Sequence, residues 1–207
     1  MDDSNTLPDP LPLFPLQLVL FPGSRLHLKV FEPRYVDLVS ACLREQRPFG
    51  VVCLRTGHEV GRQTVAFEDL GTLAHIDAVD AEQPALLHLR CTGGLRFRIE
   101  GDAHPQADGL WLCQAQAIAA DPPRSPGAAM LATVTALAEA IRKLQEQDQL
   151  PFAAPFRLDD AGWVANRWCE LLPIPLAAKQ RLMALEDPML RLSVVDGYLR
   201  DKKVVSG

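Results

Sequence analysis

The sequence has few lysines, no paired cysteines and no long apolar run, and each shortage removes a class of function. Five of its 207 residues are lysine and none follows a glycine. No GxxxxGK motif occurs, so the loop and lysine that hold a nucleotide's phosphates are missing. GxGxxG is missing as well, and Gly57, Gly61, Gly93 and Gly94 read as turn residues. None of the six serines stands in GxSxG. Cysteines at 42, 53, 91, 113 and 169 form no CxxC pair, which gives neither a disulfide framework nor a zinc knuckle. They read as small buried hydrophobes in a reducing compartment, Cys169 among them. His58-Glu59-Val60-Gly61-Arg62 begins like HExxH, but Arg62 stands where the second histidine ligand belongs. The expectation is therefore no catalytic residue, no metal and no cofactor.

The N-terminus, Met1-Asp2-Asp3-Ser4, is acidic where a signal peptide is basic, and the apolar stretch Leu11 to Phe21 is short and broken by Pro12 and Pro15. No stretch approaches the 18 apolar residues of a membrane span, so a cytoplasmic protein with no membrane partner is expected. Lys and Arg total 21 against 26 Asp and Glu, a formal charge of -5 that opposes binding of a polyanion. A nucleic-acid partner needs a local basic patch, and Arg96-Phe97-Arg98 is the place the sequence offers one. Its two guanidinium groups either grip an anion or lie on a solvated strand face.

What is present is the composition of an ordinary folded protein, 48% hydrophobic and 23% charged. The run Leu13 to Phe21 ends at the turn pair Pro22-Gly23, and Arg25-Leu26-His27-Leu28-Lys29-Val30-Phe31 then alternates at period two. These two runs are expected to form a hairpin. Pro33 suits a first helical position, and Tyr35, Leu38, Val39, Cys42 and Leu43 follow at helical spacing. Further strands are expected at Phe49 to Leu54, Gly71 to Val79, Leu86 to Cys91, Leu95 to Glu100 and Trp111 to Ile118. Seven short strands and one helix suggest a small barrel or rolled sheet.

From Gly127 the period changes. Met130, Val134, Leu137, Ile141 and Leu144 make the seam of a long helix. Asp159 or Asp160 can cap a second helix, Pro173 and Pro175 precede a third carrying Leu182 and Leu185, and Asp187-Pro188 starts a fourth lined by Leu192, Val195 and Leu199. A β-rich half thus precedes an all-α half. Phe152, Phe156 and Trp163 concentrate aromatic area in the helical half, either as core or as a surface for a partner's apolar segment.

The order Pro12-Leu13-Phe14-Pro15-Leu16, Val19-Leu20-Phe21-Pro22-Gly23 and Val30-Phe31-Glu32-Pro33-Arg34-Tyr35 strongly resembles the N-terminal, substrate-binding domain of Lon-type ATP-dependent proteases. The likeness continues through Phe49-Gly50-Val51-Val52, Leu70-Gly71-Thr72 and Gly94-Leu95-Arg96-Phe97-Arg98-Ile99. Leu171-Leu172-Pro173-Ile174-Pro175-Leu176 and Leu185-Glu186-Asp187-Pro188 resemble the helical segment that follows. Within this likeness Pro15, Phe21, Pro22, Glu32, Pro33, Arg34, Tyr35, Gly71 and Phe97 are family motif residues with structural roles. His104 to Leu110 departs from the family's usual strand entry.

The resemblance implies an α+β protein, a PUA-like β pseudobarrel with one packed helix over residues 8–121 and an all-α helical bundle over 122–203. The sequence ends before an ATPase or a serine-lysine protease module, like the stand-alone members of that family. The implied function is non-catalytic recognition of unfolded or degron-like polypeptide, or of a protein partner, as an adaptor in protein quality control. The alternative is an RNA-binding PUA-like protein, which the charge opposes. Phe152, Phe156 and Trp163, where barrel and helices meet, are the expected polypeptide contacts, and Arg96 with Arg98 the expected anion contacts.

Overall fold

A computed structural model describes residues 7–57, 59, 65–83, 86–149 and 151–205. Among them are six strands, Leu11–Leu16 (β1), Arg25–Val30 (β2), Phe49–Thr56 (β3), Ala66–Gln83 (β4), Leu86–Pro105 (β5) and Trp111–Ala117 (β6). Five helices accompany them: Pro33–Glu45 (α1), Leu131–Glu146 (α2), Ala161–Leu171 (α3), Leu176–Ala184 (α4) and Pro188–Asp201 (α5). The chain divides into two compact units, Met1–Ala120 with all the strands and α1, and Asp121–Gly207 with α2 to α5.

In the first unit the strand order is β2-β5-β4-β3-β1-β6, and a further pairing of β5 with β6 closes a ring of strands. β1 runs parallel to β3, and the other pairings are antiparallel. β1 is buried on both faces. Leu11 and Leu13 join Val52, Leu73 and Phe97 in one cluster, while Phe14 and Leu16 join β2 and α1 in another. The helix forms because Pro33 presets its first turn and Tyr35, Leu38, Val39 and Cys42 fall on its buried face.

The expected hairpin of the first two runs is not there: β2 pairs with β5, Leu28 opposite Leu89. The strand stops at Leu16, and residues 17–24 cross to β5, where the Gly23 N–H donates to the Gly93 carbonyl at 2.7 Å. Backbone approaches backbone so closely that a Cβ on Gly93 would collide with the Phe21 carbonyl oxygen. Gly93 and Gly94 are therefore strand residues and not the turn residues that the sequence suggests. They lie within β5, which unites the two runs Leu86 to Cys91 and Leu95 to Glu100.

Phe97 shows the same logic inside the ring. Its fully buried ring fills the space that Gly50 and Gly71 leave open, and a Cβ on Gly71 would lie 2.5 Å from Phe97 Cζ and overlap the Val51 carbonyl. Gly71→Ala is expected to lose about 1–3 kcal/mol by overpacking, read as a lower midpoint in chemical denaturation. An unchanged midpoint would mean that the strands can move apart there.

Candidate functional site

The second unit is organised by two polar contacts. Asp160 caps α3 by accepting from the Gly162 and Trp163 amides, and this capping satisfies donors that the first helical turn leaves open. Arg191 of α5 is 1% exposed, and each of its five N–H groups has an acceptor. The Asp121 carboxylate takes two of these bonds, at 2.6 and 3.2 Å, and Asn166 of α3 takes one at 3.0 Å. The Leu182 carbonyl of α4 accepts at 3.1 Å, and that of Leu185 completes the set. One side chain thereby holds the ends of α4 and α5 in register with α3.

That frame keeps open an apolar groove of about 420 Å³. Leu172, Ile174 and Pro175 form one end, Ala178, Leu182 and Leu185 one wall, and Val194, Val195 and Tyr198 of α5 the other. Pro173 and Pro175 keep the entry to α4 extended, because proline cannot continue the preceding helix. Val194 is 47% exposed, an unusual state for a valine beside other apolar groups. Arg181 lines the rim, and Lys202 Nζ lies 5.8 Å from the centre of the Tyr198 ring. The groove is therefore apolar within and cationic at its edge. The sequence carried half of this signal: Leu182, Leu185 and Val195 were legible as apolar faces, but which of them would be left uncovered depends on helix packing.

The aromatic residues expected to touch a partner gather with one another. Phe152 is buried, with its ring edge-on to Trp163 at 5.7 Å and to Phe156 at 6.3 Å. The Arg167 guanidinium lies over Phe152 and Trp163 at 5.2 and 5.6 Å. Burial lowers the pKa of that guanidinium, and Glu170, 2.5 Å away, works in the opposite direction. Phe156 and Trp163 are half-buried and keep some surface.

The two arginines of the expected anion locus part company. Arg96 is 4% exposed inside the β5 region, whereas Arg98 is exposed and pairs with Asp69 at 3.5 Å. They do not share a solvated face. His58 and residues 60–62 lie outside the described residues. Among those described, no group of three or more His, Cys, Asp or Glu could hold a metal ion.

The remaining motif residues knit the first unit. Arg34 pairs with Glu32 at 3.0 Å and donates to the Gly109 carbonyl at 2.9 Å, thus pinning the divergent segment 104–110. Tyr35 stacks on Phe14 with centroids 3.9 Å apart, and burial raises its hydroxyl pKa to about 12. Phe21 is buried and Pro15 lies in β1. All five cysteines are free and buried. Burial raises the thiols of Cys42, Cys53 and Cys113 to about 11 and those of Cys91 and Cys169 to about 12.

Comparison with known proteins agrees with this architecture. The profile of the family described as the ATP-dependent protease La (LON) substrate-binding domain matches residues 10–201. The crystal structure of a Lon N-terminal domain protein from Xanthomonas campestris superposes with a TM-score of 0.71 and 29% identity, covering 91% of this chain and 97% of that one. The N-terminal domain of a Mycobacterium avium complex Lon protease has the same fold, with a TM-score of 0.60, 14% identity and coverage of 92% and 98%. Protein cereblon of Danio rerio is 32% identical over 110 residues. Those residues are 51% of this chain and 25% of cereblon, so the chain spans about a quarter of that curated relative.

Two measurements check the electrostatics of these units. The native thiols should react with a soluble disulfide reagent at pH 8 far more slowly than the denatured ones, since the reactive thiolate is scarce and covered. Fast labelling of the native protein would contradict the raised pKa values. The second concerns Asp196, whose carboxylate accepts from Thr133 at 2.5 Å and Arg200 at 2.7 Å. Burial raises its pKa, but the two hydrogen bonds outweigh burial and hold it below the usual carboxylate value. Its stabilising contribution is complete above the unfolded pKa of about 3.9 and is lost as pH falls through the folded value. Asp196→Asn should flatten the fall in stability below about pH 4, and an unaltered acid limb would refute that role.

Proposed function

We propose that this chain, which belongs to the family of the ATP-dependent protease La (LON) substrate-binding domain, is a non-catalytic polypeptide-recognition module. It receives short apolar segments of unfolded or degron-like polypeptide and acts as an adaptor in protein quality control. The apolar groove between α4 and α5 carries this reading: it is open, holds about 420 Å³ and has a cationic rim. Burying a segment of two or three apolar side chains there would contribute several kcal/mol before the entropy of ordering is subtracted, which suits weak, reversible capture. Phe156 and Trp163 are a second contact in the proposal, with Phe152 as their buried support.

The module is set in the cytoplasm, where thiols stay reduced. No helix among the described residues is long and apolar enough to cross a membrane. The family's substrate-binding domain is non-catalytic, and the reading includes no ATP turnover and no peptide cleavage by this chain. RNA binding through Arg96 and Arg98 finds no support, because the first is buried and the second is paired with Asp69.

Titration of the whole chain with casein, an unfolded polypeptide, tests the proposal. Val194→Asp places a charge in the groove from an exposed position, so the fold should survive while affinity falls about tenfold. Trp163→Ala, with folding checked by circular dichroism, measures the aromatic contact separately. Absence of casein binding by the wild type would overturn the function. Undiminished binding by Val194→Asp would overturn the groove.

A further inference from the structure

The first unit carries an open strand edge whose chemistry the groove reading does not use. β2 is the terminal strand of the sheet and, among the described residues, pairs with β5 alone. Among the described residues no backbone group bonds its other side. A cavity of about 270 Å³ lies there, and the consecutive residues His27 to Phe31 line it. Side chains alternate between the faces of a strand, so a lining of His27 and Lys29 together with Leu28 and Val30 takes in both faces of this terminal strand. Phe14, Leu16 and Tyr35 give the cavity an apolar floor, and the Phe31 ring beside it is 51% exposed. Glu32 and Glu59, which also border it, are engaged by Arg34 and by the Gln17 amide.

The outward face of the same edge is basic. Arg25, His27 and Lys29 are its exposed residues, and the register sets Arg90 opposite His27 and His88 opposite Lys29. Each pair sets a lysine or an arginine against an imidazole, and neither strand carries a carboxylate over this register. Among the described residues Arg25, Lys29 and Arg90 have no ion-pair partner. The carboxylates of this region stand on β4, two strands in from the edge: Asp80 is opposite His88, and Asp77 accepts from Thr92 at 2.7 Å. In a chain whose formal charge is -5, this edge is a local excess of the other sign.

We propose that the β2 edge binds an extended segment of another polypeptide as an added strand, with acidic side chains alternating with apolar ones. Main-chain hydrogen bonds to the open side of β2 supply attachment, the acids lie over Arg25, His27 and Lys29, and the apolar side chains enter the cavity over Phe14, Leu16 and Tyr35. A six-residue strand spans about 20 Å, the reach of a five- or six-residue segment. An RNA would use the cations, but it has no alternating donors and acceptors for a strand edge. This site stands on the first unit alone, so it can fail or hold independently of the helical groove.

The test uses the whole isotopically labelled chain and an eight-residue peptide of alternating Glu and Val, with an alternating Lys-Val peptide and a single-stranded RNA as comparisons. Saturable binding of the acidic peptide is expected, with slowed hydrogen exchange at β2 amides and an affinity that falls with salt. The triple variant His27→Glu, Lys29→Glu, Arg90→Glu should bind at least about tenfold more weakly and should take up the Lys-Val peptide instead. Because that reversal could disturb folding, the neutralising pair Arg25→Gln, Lys29→Gln serves as a milder variant and should weaken binding several-fold while the spectrum stays native. Val194→Asp should leave this binding unchanged. Equal binding of the Lys-Val peptide, unaltered exchange at β2, preference for the RNA or full affinity in the charge variants would each overturn the proposal.

Discussion

The helical unit depends on a buried guanidinium. Arg191 is buried among α3, α4 and α5, and all five of its N–H groups are bonded. A buried charge is tolerable only with such complete pairing, and removing one partner of a buried pair is strongly destabilising. Its acceptors come from residues 121, 166, 182 and 185, so the pairing is complete only when α4 and α5 take the spacing that leaves their apolar groove open. Thr133 and Trp168 add a second tie. The threonine bonds Asp196 of α5, and its carbonyl accepts from the Trp168 indole at 3.1 Å.

The strand unit meets the opposite problem, backbone that must come close. Gly93 lets the 17–24 segment lie on β5, and Gly50 with Gly71 makes room for Phe97. The Thr72 hydroxyl then bonds the Leu20 carbonyl at 2.6 Å, fastening the crossing segment. Because residues 17–24 carry the chain away from β1, β2 is paired on one side only among the described residues and stands at the end of the sheet. The crossing that carries the chain from β1 to β5 thus leaves β2 at the margin of the sheet.

Much of the architecture could be read along the chain. The caps at Asp160 and Asp187, the proline start at Pro33 and the change from period two to helical period place the helices nearly where they are found. These signals are local, carried by residues within a few positions of each other. Strand partnership is not local. Leu13 to Phe21 and Arg25 to Phe31 have the pattern of a hairpin, and only the contact of Gly23 with Gly93, seventy residues on, shows why they do not pair. Thr133 is invisible to an apolar pattern although it sits on the buried face of α2, because its hydroxyl is satisfied by a residue of α5.

The surfaces separate along the same line. By itself the sequence determined the α+β class, the order of the elements and, through Glu32-Pro33-Arg34-Tyr35 and its companions, the family. The tertiary structure alone decided that Arg96 goes inside while Arg98 stays out, that Phe152 supports Phe156 and Trp163, and that Arg90 joins His27 across the β2–β5 pairing. Periodicity reports which face of an element is apolar, since that depends on spacing of 2 or 3.6 residues. Whether such a face is covered, and which charges meet across an edge, depends on how separate elements pack, as His27 and Arg90 do from 63 positions apart, and only the folded chain brings them together.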